Sequence, residues 1–191
     1  NSFNSELHQL PIRIESQNRP KYSMYDNNKL YVLSEANYGN YGGILSIIVN
    51  DQVEQSLDNI LNKQTPKKLV VNDEFYYIST TTKGGSGTNY LNENALILKY
   101  NFKTNKVVLK IDYINTKSFN DMELHNGKIY AIDLSGNLHV INENTQISTK
   151  INSSLKFLNF INSIDGNLYI HTINKVYKIT NKTFIDVGLE F

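Results

Sequence analysis

Asn126-Gly127-Lys128-Ile129-Tyr130-Ala131-Ile132-Asp133 runs directly into Leu134-Ser135-Gly136-Asn137-Leu138-His139-Val140-Ile141-Asn142. An Asn-Gly pair between short apolar runs predicts a two-residue hairpin, because a type I′ turn needs positive φ at both central positions. Ser135-Gly136 supplies a second turn, and residues 142–144 supply a third. With residues 121–124 before this stretch and 146–151 after it, four short strands follow one another as a meander: 121–124, 128–133, 138–141 and 146–151.

The same device recurs along the chain. Leu30-Tyr31-Val32, Phe75-Tyr76-Tyr77-Ile78, Ile129-Tyr130-Ala131-Ile132 and Leu168-Tyr169-Ile170 each follow a polar turn, and tyrosines 31, 76, 130 and 169 are matched at spacings of 45, 54 and 39 residues. Strands are expected at 22–25, 30–34, 44–49 and 52–57, then at 68–71, 75–80, 95–100 and 106–111. The last unit places them at 159–164, 168–172, 176–179 and 183–187. Periods of about 40 to 50 residues with four strands each are the signature of β-propeller blades. A sandwich also uses hairpin-linked strands at such spacing, but the repeat favours the propeller. The fold expected is therefore all-β and propeller-like, with about four blades of four antiparallel strands. A small closed ring, a half-ring and a fragment of a larger propeller all remain open. One domain spans 1–191, with a lead-in at 1–19 and blades near 20–62, 63–114, 115–155 and 156–191. The one helical candidate is 52–62, where Val53, Leu57, Ile60 and Leu61 follow a helix-like spacing behind Asp51 as a cap; an outer strand fits the same residues.

Composition excludes several classes. The formal charge is +1, from 19 basic and 18 acidic side chains, and the basic residues are scattered, so no nucleic-acid footprint is expected. The absence of cysteine removes disulfides, thiolate metal sites and cysteine nucleophiles. No apolar run reaches the length of about 18 residues that a membrane span needs. The chain opens at Asn1, which reads as a mature or trimmed product. Asn occurs 28 times, which suits a chain of many turns and is also what AT-rich coding produces.

The blade beginning at Asn126-Gly127-Lys128-Ile129-Tyr130 resembles those of YncE-like and quinoprotein-like β-propellers. Asp165-Gly166-Asn167-Leu168-Tyr169-Ile170 with Lys175-Val176-Tyr177-Lys178-Ile179 repeats the resemblance. Arg19-Pro20 and Thr65-Pro66 look like the prolines that open such blades. The resemblance covers roughly 20–190 and implies a fold rather than an active site. Two departures stand out: the chain has no Trp, and full members of that group have more blades.

Function is expected where the repeat is interrupted. Insertions at 35–43 and 81–94 both lie between second and third strands, which puts them on one rim of a propeller. Ala36-Asn37-Tyr38-Gly39-Asn40-Tyr41-Gly42-Gly43 interleaves aromatics with glycines, and Lys83-Gly84-Gly85-Ser86-Gly87-Thr88-Asn89-Tyr90 is a Gly/Ser stretch ending in an aromatic. Tyr38, Tyr41, Lys83 and Tyr90 are the candidate ligand-binding residues, for a protein or glycan ligand; solvated loops with incidental tyrosines are the plain alternative. Lys83 precedes its glycines, so the stretch is not a phosphate loop. Asp121, Glu123 and His125 alternate on one strand face and could begin a metal site or serve a hydrolase or lyase. His8, His139 and His171 stand apart, the last two suited to blade packing. Asn152-Ser153-Ser154 and Asn181-Lys182-Thr183 match glycosylation sequons, as chance allows in so Asn-rich a chain. No catalytic constellation, metal set or cofactor motif emerges. The expectation is a non-catalytic binding module outside the cytoplasm, in the cell envelope or secreted, with homo-oligomeric assembly of half-rings as an alternative.

Overall fold

The computed structural model describes residues 19–151, 155, 160–180 and 183–190. Sixteen strands form four separate antiparallel sheets, each in simple sequence order. The first holds β1 (Arg19–Asp26), β2 (Lys29–Glu35), β3 (Gly43–Val49) and β4 (Gln52–Leu57); the second holds β5 (Thr65–Asn72), β6 (Phe75–Thr81), β7 (Ile97–Asn101) and β8 (Lys106–Ile111). The third comprises β9 (Phe119–His125), β10 (Lys128–Asp133), β11 (Leu138–Asn142) and β12 (Ser148–Ile151). The fourth comprises β13 (Phe160–Ile164), β14 (Asn167–His171), β15 (Lys175–Thr180) and β16 (Thr183–Glu190). Residues 1–18, both sequons' asparagines, His8 and the expected strand start at 159 lie outside the described residues.

Turn chemistry sets the hairpins. Asn126 and Gly127 have φ of 49° and 65°, Asn27 and Asn28 48° and 60°, Asn50 and Asp51 48° and 61°, and Asp165 and Gly166 48° and 71°. Except for Lys63 and Gln146, every described non-Gly residue with positive φ is Asn or Asp, the side chains that tolerate that region best. Structural need therefore accounts for part of the Asn richness. Of the two readings of 52–62, the outer strand is the one that forms: Gln52–Leu57 is β4, as the strand pattern expected, and the helical alternative is limited to a single 3₁₀ turn at Asn59–Leu61. Strand pairing decided it, since Leu57 and Ser56 sit opposite Leu45 and Ser46 on β3.

The register also shifts one match in the repeat. Pairing places Met24 opposite Tyr31, Val70 opposite Tyr77, Glu123 opposite Tyr130 and Asn162 opposite Tyr169. The tyrosine two positions beyond each turn is thus 31, 77, 130 and 169, and Tyr77, not Tyr76, is the second member. Side chains alternate between faces along a strand, so this assignment has direct packing consequences. Tyr31 packs with Leu69, Tyr76 and Ile78 of the second sheet, Tyr77 with Ile129 and Ile141 of the third, and Tyr130 with Leu168 and Ile170 of the fourth. Each tyrosine faces the next sheet in sequence. Tyr169 lies on the face opposite Leu168 and Ile170, away from the third sheet.

The four sheets are therefore blades of a propeller, stacked through three apolar junctions. First strands sit innermost: β5 packs against β1, β9 against β5, and β13 against β9. Each fully buried Leu or Ile at these junctions contributes about 1.5–3 kcal/mol. No comparable packing joins the fourth sheet to the first among the described residues, so the array is open rather than a small closed ring.

Candidate functional site

The two insertions leave the same ends of neighbouring blades, and the structure joins them. The Gly39 N–H donates to the Ser86 carbonyl at 2.9 Å, and the Gly85 N–H donates to the Asn40 carbonyl at 2.9 Å. Their glycines permit this approach. A Cβ on Gly85 would lie 2.3 Å from the carbonyl oxygens of both Ala36 and Asn37, and one on Gly84 would lie 2.3 Å from that of Asn40. Gly84 and Gly85 are buried. Glycine serves here for close backbone contact, not for looseness.

Four side chains project from this double loop. Tyr38 is 76% exposed, Tyr90 43% and Tyr41 38%, and Lys83 is exposed. The Tyr38 ring covers Gly87, where a Cβ would stand 2.7 Å from Cζ. The Tyr41 hydroxyl donates to the Asn89 carbonyl at 3.2 Å. Lys83 Nζ lies 5.9 Å from the Tyr90 ring centroid, and the two residues form a β-bridge. All four candidates named from sequence thus meet on one rim, partly ordered by contacts across the two loops.

The base of the second loop is bolted inward by residues the sequence reading passed over. Gln64 is fully buried; its Nε2 donates to the Asn94 carbonyl at 2.8 Å, and its Oε1 accepts from the Leu96 N–H at 3.2 Å. The Thr82 N–H donates to the Lys117 carbonyl at 2.9 Å, and Lys117 Nζ donates to the Glu93 carbonyl at 2.8 Å. No local pattern marks a lone Gln or Lys for such a task.

Near the axis, Asp121 and Glu123 part company. Asp121 Oδ1 accepts from Lys68 Nζ at 3.0 Å and from the Met122 N–H at 2.9 Å, while Oδ2 accepts from the Ile161 N–H at 3.0 Å. One carboxylate therefore ties the second, third and fourth blades together, and Lys68 also lies 5.2 Å from the Tyr22 ring centroid of the first. Burial works against the Lys68 charge, but the Asp121 carboxylate outweighs it and holds the lysine pKa above its ordinary value. For Glu123, burial dominates and raises the carboxyl pKa, with Lys68 opposing. His125 bonds Ser163 Oγ through Nδ1 at 2.9 Å and Asn126 Nδ2 through Nε2 at 3.0 Å. The described residues contain no cluster of three or more side chains able to hold a metal ion, so the alternating trio is not brought together as a ligand set.

His139 is a packing residue, as expected. Its Nε2 meets Asp133 Oδ2 at 3.0 Å, and Asp133 Oδ1 accepts from the Ser135 and Asn137 N–H groups, both at 2.9 Å. Burial acts to raise the Asp133 pKa, but the His139 and Asn137 hydrogen bonds outweigh it and leave it below the ordinary value. His171 differs: its Nε2 is buried without a hydrogen-bond partner.

No protein-family model matches the chain, and no curated protein matches it. Among solved structures, the WD40 β-propeller domain of Doa1 superposes with a TM-score of 0.58 at 15% identity, covering 80% of this chain and 46% of that one. The computationally designed Ika4 protein gives 0.58 at 12% identity, covering 91% of this chain and 99% of Ika4. The extracellular domain of a hybrid two-component system from B. thetaiotaomicron gives 0.56 at 14% identity, covering 92% of this chain and 22% of that one. These likenesses establish the propeller fold. The chain spans less than half the length of the Doa1 structure, and no single propeller subfamily is singled out.

Proposed function

We propose that this propeller array is a non-catalytic binding module whose joined rim loops contact a protein or glycan through Tyr38, Tyr41, Lys83 and Tyr90. The observation that carries the reading is the double loop itself: two insertions locked backbone to backbone, holding three exposed tyrosines and a lysine on one rim. Flat phenol rings suit the apolar face of a sugar or a peptide side chain, and ordered loops lose less entropy on binding. The YncE-like or quinoprotein-like relationship belongs to this proposal. So does a setting outside the cytoplasm, which the likeness to an extracellular domain supports. No helix among the described residues is long and apolar enough to cross a membrane.

The test is binding to a glycan array and a displayed-peptide library by the wild type and by the triple variant Tyr38→Ala, Tyr41→Ala, Tyr90→Ala. Wild-type binders should lose at least about tenfold in affinity with the variant, at an unchanged melting temperature. Undiminished binding by the variant, or no binder for the wild type, removes the proposal.

A second reading, assembly of half-rings, is favoured by the outer face of the fourth blade. Phe160, Ile164 and Ile185 are 61%, 51% and 51% exposed on the face that Tyr169 shares, the face through which the other three tyrosines meet the next blade. Light scattering decides it: a strict monomer at high concentration excludes a self-completed ring.

A further inference from the structure

The three junctions can be compared position by position, because the hairpin register is common to all blades. Facing the tyrosine of the preceding blade stand Tyr76 and Tyr100 at the first junction, Ile129 and Ile141 at the second, and Leu168 and Ile179 at the third. At the first, Tyr76 stacks on Tyr100 and Phe102 at centroid distances of 6.3 and 4.7 Å, and rings fill the space. At the second, Ile129 and Ile141 are buried in the core cluster, and polar groups also cross the junction. The Tyr77 hydroxyl donates to Glu143 at 3.0 Å, and Lys99 pairs with the same carboxylate while lying 4.1 Å from the Phe75 ring centroid. At the third, Tyr130 and Ile179 pack against the cluster that holds the buried Leu168, and a cleft of about 620 Å³ opens beside them.

That volume is in the usual range for small-ligand sites, about 300–1,000 Å³. Its lining mixes Tyr130, Val140 and Ile179 with polar groups, and no carboxylate is among them, whereas Lys128, Lys178 and His125 are. Lys29, the counterpart of Lys128 in the first blade, pairs with Glu54 of its own β4 at 2.9 Å. The matching strand β12 reads Ser148-Thr149-Lys150-Ile151 and offers Lys128 no acid. His125 is already committed to Ser163 and Asn126, leaving Lys128 and Lys178 as the lysine charges at the cleft; Lys128, at the mouth beside His125, is the one proposed to take the ligand.

We propose that the cleft between the third and fourth blades binds a small aromatic carboxylate. Its ring lies in that cleft against Tyr130 and Ile179, where the smaller side chains of this junction leave room beside the core, and its carboxylate pairs with Lys128. The site is separate from the rim loops and does not depend on their role.

The probe is 4-hydroxyphenylacetate, titrated by ligand-observed NMR and calorimetry against the whole chain, with tyramine as its cationic counterpart. The carboxylate should bind with one-to-one stoichiometry and tyramine at least about tenfold more weakly, the factor that about 1.4 kcal/mol of charge pairing produces. Lys128→Gln, a surface change that leaves the fold intact, should weaken the carboxylate by a similar factor. Leu168→Tyr, which fills the cleft, should abolish binding, and Tyr38→Ala with Tyr41→Ala should leave it unchanged. Equal binding of tyramine, indifference to Lys128→Gln, or no binding of the carboxylate at about 10 mM each overturns the proposal.

Discussion

The first and third blade junctions are built on the same backbone register and differ in what fills them. Between the first and second blades, Tyr31 meets Tyr76 edge to face at 5.6 Å, Tyr100 and Phe102 complete the stack, and the rim loops add backbone hydrogen bonds above it. Between the third and fourth, Leu168 and Ile179 leave a cleft, and the Asp121–Ile161 bond and the His125–Ser163 contact provide polar ties. A repeat thus fixes where blades meet without fixing how tightly. Side-chain volume decides that, since interiors tolerate few voids and each lost contact weakens packing.

The widest separation between the two junctions should come from cutting matched side chains. Tyr76→Ala empties a filled space and should cost about 3–5 kcal/mol in urea unfolding. Leu168→Ala, at the matching position of the third junction, removes a smaller buried side chain beside the cleft and should cost about 2–3 kcal/mol, less than the tyrosine. Equal costs would mean that the cleft closes in solution. Next is Asp121→Ala, which strips Lys68 of its counter-charge and the Ile161 N–H of its acceptor; about 2–4 kcal/mol is expected. Hydrogen exchange should show β13–β15 losing protection before β1–β4. Uniform loss across all four blades would make the third junction as strong as the first.

Gly85→Ala probes the loops that brace the first junction. Its Cβ would meet two carbonyl oxygens at 2.3 Å, so the loops must part, at a cost of about 1–3 kcal/mol. Gly127→Ala, in an open turn at φ 65° with nothing within 4 Å, carries only backbone strain, about 1 kcal/mol. Protease nicking of the loop at 83–90 should rise for the first variant and not for the second. If the two behave alike, the loops do not hold each other.

Most of the fold was legible in residues 126–142 and their echoes, because a type I′ turn writes its φ requirement directly into Asn, Asp and Gly. The one-residue ambiguity of Tyr76-Tyr77 was not: both are buried aromatics, and only cross-strand pairing tells which face each takes. The 52–62 segment stayed ambiguous between helix and outer strand because Val53, Leu57 and Ile60 satisfy a helical period, while partner strand β3 supplies hydrogen bonds that a period cannot display. For the site, the shared rim followed from the position of the two insertions within their blades. The backbone locking of the loops, and the parts of Gln64 and Lys117 beneath them, depend on contacts far apart in sequence. The cleft was invisible for a related reason: it is an absence of volume at a junction, recognisable only once Leu168 is placed where Tyr76 stands.

The smallest effect expected is also the one that best separates the third junction's own chemistry from its packing. Glu123 sits opposite Tyr130 on β9, and burial raises its carboxyl pKa above the ordinary value. The folded chain therefore holds this proton more tightly than the unfolded chain. The resulting stability is fully present below the unfolded pKa and lost as pH rises through the folded one. At pH 7 the ionised carboxylate is a burden on this part of the molecule. Glu123→Gln removes it, so the variant should be more stable than the wild type at pH 7, and the advantage should shrink towards pH 4. Paired urea melts at the two pH values measure the difference directly, other titrating groups cancelling between variant and wild type. A constant offset would show that Lys68 compensates the buried charge, and the looser packing of the third junction would then rest on side-chain volume alone.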